Sequence, residues 1–206
     1  MKDADVREAL HGHLPTLPTF RPEESLVVDE LGLCGQVRVD VAVVDDLMSG
    51  FELKSASDTL KRLPNQIEVY SQVLDNATLV VADNHIDQAL PLLPEWWGCI
   101  IAREQGGVTR LDEVRPANFN PGIDPFSLCQ LLWLPEVTQA LEDREAMRGF
   151  RGKSRWVLWQ RLVELADLDE IRDLVRHCLT SRKTWPHPKS TRPDRALATS
   201  GAASRP

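Results

Sequence analysis

The chain has 206 residues, a formal net charge of −7 at pH 7 and four cysteines. That length is enough for one domain with a sizeable core and an appendage. Hydrophobic residues make up 42% and charged residues 27% of the sequence, which is ordinary for a globular protein. No apolar run approaches the roughly 20 residues that span a bilayer, so the composition excludes a helical membrane protein.

The cysteines and the first residues bear on the compartment. Cys34, Cys99, Cys129 and Cys178 are widely spaced and form no CxxC pair, so neither a zinc nor an iron–sulfur site is expected. The first residues are acidic and no apolar stretch follows them, so a secretory signal is not expected. We therefore expect a cytoplasmic protein with reduced thiols and no membrane partner.

The charge is unevenly distributed along the chain. Residues 1–143 carry 10 Lys and Arg against 24 Asp and Glu, a net −14, whereas residues 144–206 carry 14 against 7, a net +7. A basic C-terminal part is compatible with an anionic partner such as DNA, because Lys and Arg neutralise phosphates. A solvated basic surface explains the same pattern equally well.

The apolar pattern predicts the following elements in chain order. They are a helix from Asp3 to about His13, strands at 24–31, 37–44 and 50–55, a helix at 65–75, a buried strand at 77–82, a helix at 86–93, and strands at 97–103 and 108–114. Turns are predicted at 32–35 and at Gly106–Gly107. Four more helices follow, at 125–133, 135–148, 156–166 and from the capping box at Asp167 to about Arg182.

This order predicts an α/β domain with a mixed sheet over residues 1–118 and a helical subdomain over 119–183. Residues 184–206 are rich in Pro, Ser, Thr and Arg, which predicts a disordered tail. The C-terminal helices are a candidate surface for a homodimer or another protein partner.

Three charged residues stand on two consecutive apolar strands. Alternation places Asp40 on one face of its strand and the valines at odd positions from 37 to 43 on the other. Glu52 and Lys54 share one face of the next strand, and the apolar residues between them point the opposite way. Two carboxylates and an ammonium that converge there can hold a hard divalent cation and polarise a water or phosphate. We expect the three side-chain tips to lie within reach of one ion, in an open groove.

Asp40, Glu52-Leu53-Lys54 and the later Gln66-Ile67-Glu68-Val69-Tyr70 resemble the PD-(D/E)XK phosphodiesterase superfamily and the QxxxY motif of its RecB-like nuclease branch. The resemblance covers roughly residues 26–82, although no proline precedes Asp40. The predicted elements also resemble the αβββαβ core of a restriction-endonuclease-like fold.

A narrower resemblance is to a bacterial family of short proteins designated mainly by a locus tag. It rests on Asp29-Glu30-Leu31-Gly32, Arg38-Val39-Asp40, Glu52-Leu53-Lys54-Ser55, Asp58-Thr59-Leu60, Arg62-Leu63, Trp96-Trp97-Gly98 and Asn120-Pro121-Gly122.

The superfamily resemblance implies a Mg²⁺ or Mn²⁺ ion held by Asp40, Glu52 and the Leu53 carbonyl. Lys54 would position a water or stabilise the pentavalent phosphate. Glu30 on the preceding strand is the candidate for a third catalytic carboxylate, and Glu8 on the first helix is its rival.

Five further residues are candidates for supporting the site or contacting nucleic acid. Gln66 and Tyr70 lie four positions apart on one helical face, and the resemblance implies that they hold the lysine or the nucleic-acid backbone. Arg38, Asp58 and Arg62 are candidate nucleic-acid contacts. For Asp58 and Arg62, a helix cap and its charged partner four residues on is an equally good interpretation.

The leading hypothesis is a Mg²⁺-dependent nuclease that hydrolyses DNA phosphodiester bonds in DNA repair, mobile-element maintenance or defence. One alternative is a noncatalytic nucleic-acid-binding or assembly module that keeps the nuclease fold. A second alternative is a scaffold that binds only proteins.

Overall fold

The computed structural model describes residues 1–183, so the predicted disordered tail at 184–206 lies outside the described residues. The helices are α1 (Asp3–His13), α2 (Leu63–Ser71), α3 (Ile86–Ala89), α4 (Pro125–Cys129), α5 (Leu134–Glu142), α6 (Arg155–Val163) and α7 (Leu168–Ser181). The strands are β1 (Leu26–Leu33), β2 (Val37–Val44), β3 (Met48–Lys54), β4 (Asn76–Ala82), β5 (Gly98–Gln105) and β6 (Val108–Arg115).

The six strands form one mixed sheet in the order β1-β2-β3-β4-β5-β6. β3, β4 and β5 are parallel, and the other neighbouring pairs are antiparallel. The parallel pairs require crossover connections, which α2 and α3 supply. The predicted α/β fold with a mixed sheet and a following helical part is therefore confirmed, including the order α-β-β-β-α-β from α1 to β4.

The two faces of the sheet carry different layers. α1 covers one face, where Val6 and Leu10 pack with Phe51 and Leu53 of β3 in a small core. α2 and the C-terminal helices cover the other face and form a larger core with it. This larger core contains fully buried residues of the helical part, among them Leu128, Leu141 and Ile171. The two predicted units therefore share one hydrophobic core.

Polar contacts fasten the helical part to the segment between α2 and β4. The buried Asn120 donates from Nδ2 to the carbonyls of Ser71 and Leu74, each at 2.8 Å. The buried Asp75 carboxylate lies 3.2 Å from Nε of Arg172 on α7. Because these groups satisfy backbone and charge away from water, they hold the C-terminal helices in register with the sheet.

β1 is irregular at Glu30, whose φ of 58° is in the left-handed region. Val28, Leu31 and Leu33 all pack in the larger core, although Val28 and Leu31 are three positions apart. A regular strand returns to the same face every second residue. The strand therefore switches faces at Glu30.

β2 switches faces at the residue opposite. Val39 packs in the larger core with Ala42 and Val44, whereas Val41 packs in the small core under α1. Val37 also packs against the larger core, and Val43 lies in the small core. The prediction that the valines at odd positions from 37 to 43 share one face was therefore wrong, because Val37 and Val39 lie on one face and Val41 and Val43 on the other. The cause is the local irregularity of the β1–β2 hairpin, which places Asp40 at the residue where β2 changes faces.

Several predicted boundaries were also wrong, each for a local reason. β1 runs two residues further than predicted, and the turn lies at Cys34 and Gly35, with φ of 53° and 65°. The helix predicted to reach residue 148 ends at Glu142. There the amide of Ala146 donates to the carbonyl of Leu141 at 2.8 Å, and the intervening Glu145 has a φ of 54°, which is a Schellman ending without glycine.

Other helices are also shorter than predicted, and α2 ends at Ser71 rather than at residue 75 and α6 at Val163 rather than at residue 166. The helix predicted over 125–133 is α4, which stops at Cys129, and the one predicted over 86–93 divides into α3 and a 3-10 turn at Leu90–Leu92. Within residues 1–183, no helix combines the length and the apolar character needed to cross a bilayer.

Candidate active site

The site begins where β2 and β3 separate. Their backbone pairing ends at Val41 and Phe51, one residue before Asp40 and Glu52 would face each other. The Asp40 carboxylate instead accepts the Leu53 amide at 2.8 Å. The strands fork at this point, and the side chain of Asp40 replaces the missing ladder bond.

Glu52 and Lys54 form a buried ion pair on the face of β3 that α2 covers. Their side chains are only 1% and 4% exposed, and Nζ of Lys54 donates to Oε1 of Glu52. Gln66 joins both, because its Nε2 donates to Glu52 at 2.6 Å and its Oε1 accepts from Lys54 at 3.2 Å. Buried charges are stable only when they are paired and hydrogen-bonded, and this arrangement supplies both conditions.

Tyr70 completes the network one helical turn after Gln66. Its hydroxyl lies within hydrogen-bond distance of Oε2 of Glu52 and 3.0 Å from the carbonyl of Arg38. The ring stacks on Trp97, with centroids 5.5 Å apart. Burial and the neighbouring Glu52 raise the pKa of Tyr70 far above its ordinary value, so the hydroxyl stays neutral and acts as a donor.

Asp40 has an unusual acidity. Burial is the main cause that raises its pKa to about 7, and the negative charge of Glu52 adds to it. The Leu53 amide and the charges of Lys54 and Arg7 act in the opposite direction and only partly offset burial. Burial and the charge of Glu52 both disfavour the ionised form of Asp40, so added positive charge beside the two acids is favourable.

A groove of about 740 Å³ runs past these residues. Its polar and charged lining includes Glu30, Arg38, Asp40, Glu52, Lys54, Asp58, Lys61, Arg62, Asn65 and Gln66. Asp40 is partly exposed to it, whereas Glu52 and Lys54 form its wall with almost no exposed surface. All three residues line one groove, but Glu52 and Lys54 are paired with each other and are far more buried than expected of an open site.

The two candidates for the third acidic residue are separated by the structure. Glu30 lines the groove, where Nη2 of Arg7 lies 3.1 Å and Nε of Arg38 lies 3.2 Å from its carboxylate. Glu8 is exposed on another side of α1, beside Gly107 in the β5–β6 hairpin. Only Glu30 is therefore close to Asp40.

Asp58 and Arg62 both line the groove. Asp58 does not cap α2, since its carboxylate accepts the amide of Ser55 at 2.8 Å and the Ser55 hydroxyl at 2.7 Å. This contact fixes the loop that follows Lys54. Arg62 is the N-cap residue of α2 and is exposed.

Arg7, Lys61 and Asn65 were not predicted from the sequence. Lys61 and Asn65 are direct neighbours of Arg62 and Gln66, which the motif did single out, and that adjacency was the available signal. Arg7 donates to the carbonyl of Asp40 at 2.6 Å. No local pattern indicates a contact over 33 positions, which only the packing of α1 against the sheet creates.

The donor set for a metal ion is small. Within the described residues 1–183, no three His, Cys, Asp or Glu side chains are grouped so that they could hold a metal. Asp40 and Glu52 remain, with the backbone carbonyl of Leu53 beside them. Mg²⁺ commonly takes one or two carboxylates and completes its shell with water and phosphate, so this set fits a hard divalent ion.

Fold and site together define a mixed α/β protein with a polar groove at a strand fork, built around a buried acid–lysine pair. Its relatives identify it further. The chain belongs to the family described as bacteriophage P4 protein cII, whose sequence model matches residues 12–187. No curated relative matches the chain.

A solved structure of a protein of unknown function from Silicibacter pomeroyi, SPO1766, is 19% identical. The alignment covers 75% of this chain and 96% of that chain, with a TM-score of 0.45. A likeness at this level carries no argument about function.

Proposed function

We propose that this protein is a divalent-metal-dependent phosphodiesterase that cleaves DNA, with a centre similar to those of PD-(D/E)XK nucleases. The observation that carries the proposal is the placement of Asp40, Glu52 and Lys54 on the wall of one groove. Gln66 and Tyr70 support it, because both hold Glu52 by hydrogen bonds.

Asp40 and Glu52 would hold the ion, with the Leu53 carbonyl as a further oxygen donor. Bound Mg²⁺ or Mn²⁺ supplies a water of lowered pKa and neutralises charge on phosphate oxygens. The charge of Glu52 is one of the causes that raise the pKa of Asp40, after burial, and a cation beside the two acids would offset that repulsion.

Lys54 would donate to the phosphate on which negative charge develops. Its ammonium is fixed by Glu52 and by Gln66 at 3.2 Å, so it needs no reorganisation when charge appears. Fixed donors in a site that excludes water are worth more than mobile donors in solvent. Tyr70 and Gln66 would orient Glu52 and thereby the whole centre.

Two exposed cations at the start of α2 would bind the nucleic-acid backbone. Lys61 and Arg62 line the same groove as the buried pair. Among residues 1–183, no carboxylate lies within ion-pair distance of either. Cations without an internal partner are available for phosphates, which is notable in a chain of net charge −7.

Cleavage assays with the purified full chain test the proposal. Labelled single- and double-stranded DNA would be incubated with Mn²⁺ or Mg²⁺, and with EDTA as the metal-free control. We expect cleavage by the wild type, a loss of at least about 100-fold in Asp40→Asn and Lys54→Met, and no change in Asp112→Asn. Asp112 is a suitable control because it lies on β6, three strands from β3, in an ion pair with Arg103.

One observation favours a second candidate, a noncatalytic nucleic-acid-binding module with the same fold. Both carboxylate oxygens of Glu52 already accept hydrogen bonds, and the residue is 1% exposed. DNA binding without cleavage, unchanged in Asp40→Asn, would establish the module and refute the nuclease. If the protein neither binds nor cleaves DNA, the remaining candidate is the scaffold that binds only proteins.

The wider expectations from the sequence stay predictions. They are a cytoplasmic location, a protein partner or second copy at the C-terminal helices, and a role in DNA repair, mobile-element maintenance or defence. Membership in a family described by a bacteriophage protein supports the mobile-element role among the three.

A further inference from the structure

Arg7 on α1 reaches the acidic end of the groove and contacts it at several points. Its Nη2 lies 3.1 Å from Glu30 and 3.7 Å from Asp40, so it stands between the two carboxylates. Its Nη1 donates to the Asp40 carbonyl at 2.6 Å and lies 3.3 Å from Asp29. The side chain is 22% exposed, so these contacts are only partly screened by solvent.

One guanidinium thus forms ion pairs with four carboxylates, since Asp3 also lies 3.8 Å from its Nε. Arg38 lies 3.2 Å from Glu30 and is its second cation, but among the described residues Arg38 forms no ion pair with Asp40. A hard divalent cation needs only one or two carboxylates when water completes its shell, and Glu30 and Asp40 are two such carboxylates. Here the guanidinium of Arg7 already lies between them.

We propose that Arg7 is a built-in counter-ion that takes the place of a second divalent cation and keeps Glu30 from sharing a metal with Asp40. The centre then holds a single ion, on Asp40 and Glu52, and Glu30 is a ligand of Arg7 rather than of metal. This inference rests on the proposed function for the first ion only. The change in the number of bound ions when Arg7 is removed is measured independently of that first ion.

The geometry explains why Arg7 and not another group fills this role. A planar guanidinium presents several donors in a fixed fork, so it can bind two carboxylates and a carbonyl at the same time. Its charge is also permanent, whereas a divalent ion dissociates. α1 holds the arginine in place because Val6 and Leu10, which flank it on the helix, are fully buried.

The test counts bound Mn²⁺ per chain, by calorimetric titration and by the electron paramagnetic resonance signal of free Mn²⁺, without any activity assay. We expect one bound ion per chain in the wild type and two in Arg7→Gln. The double variant Arg7→Gln/Glu30→Gln should again bind one. The matched control is Arg21→Gln, which removes an exposed arginine that also pairs with two acids, Glu24 and Asp46. It should leave the count at one.

The difference between variant and wild type tests this inference, and the wild-type count tests the metal centre. An equal count and equal affinity in wild type and Arg7→Gln overturns the role of Arg7. A count of zero in the wild type and one in Arg7→Gln overturns the metal centre but supports the role of Arg7. Two ions in the wild type overturn the inference.

Replacing Arg7 by Gln restores the repulsion among the carboxylates that it contacts, so we expect a less stable variant whose thermal unfolding responds to metal. We expect Mn²⁺ to raise its melting temperature by more than it raises that of the wild type, because binding to the folded state alone stabilises it. An equal shift in both proteins, or a variant that stays unfolded in saturating Mn²⁺, contradicts the proposal.

Discussion

Replacing Lys54 by Met tests the buried ion pair on which the candidate site depends. Met has a similar length and an apolar end, so it fills the space of the lysine stem without its charge. The substitution leaves the carboxylate of Glu52 buried at 1% exposure with neutral donors only, Gln66 and Tyr70. An uncompensated buried charge is far more costly than an absent ion pair.

The expected size of the effect follows from this asymmetry. Removing one partner of a buried ion pair lowers the free energy of unfolding by roughly 3–5 kcal/mol. In a chain of this size about 1 kcal/mol shifts the melting temperature by roughly 2–4 °C, so we expect a fall of roughly 6–20 °C. The double variant Glu52→Gln/Lys54→Met removes both charges. Its free energy of unfolding should exceed that of the single Lys54→Met variant by about 2 kcal/mol or more.

Urea unfolding of the wild type, both single variants and the double variant measures this coupling. Tryptophan fluorescence reports on the site directly, because Trp97 stacks on Tyr70. A loss of less than about 1 kcal/mol of unfolding free energy in Lys54→Met would refute the buried ion pair. A double variant that loses the sum of the two single losses would refute it as well.

Three further predictions concern neighbouring groups. Tyr70→Phe leaves an oxygen of Glu52 without its donor and should cost about 1–3 kcal/mol in the same urea assay, with Trp97 still packed; an unchanged midpoint would contradict the assigned hydrogen bond. The pKa of Asp40 is raised to about 7, so its protonated form favours the folded state: without metal, its stabilising contribution is present below about pH 4 and is lost as the pH rises through 7. Thermal melts between pH 4 and pH 8 should show this fall, and Asp40→Asn should lack it. Replacing Lys61 by Gln should weaken DNA binding in EDTA and lower the slope of log affinity against log salt by about 1, as for the loss of one phosphate contact; a slope equal to that of the wild type excludes Lys61 from the interface.

Much of the scaffold could be predicted from local pattern alone. The alternating valines of β2, the continuous apolar run of β4 and the capping box before α7 each indicate one element with little ambiguity. The element order followed from them. Helix ends were predicted less well, because they depend on single left-handed residues such as Glu145, a residue type without special preference for that conformation.

The candidate site shows the same division. Glu52 and Lys54 share a face because a strand repeats every two residues, and Gln66 and Tyr70 share a face because a helix repeats about every four. Both pairs could therefore be placed from their spacing. The contact between the pairs, with Gln66 donating to Glu52 across 14 positions, depends on how α2 lies over β3.

Backbone periodicity is a local property, so the neighbours on each strand and helix could be identified from the chain alone. Three other features depend on packing between distant segments. They are the change of face at Glu30 and Asp40, the near-complete burial of the Glu52–Lys54 pair, and the insertion of Arg7 between Glu30 and Asp40. Burial and long-range ion pairing depend on which surfaces pack together, and the β1–β2 hairpin, α1 and α2 meet only in the folded chain.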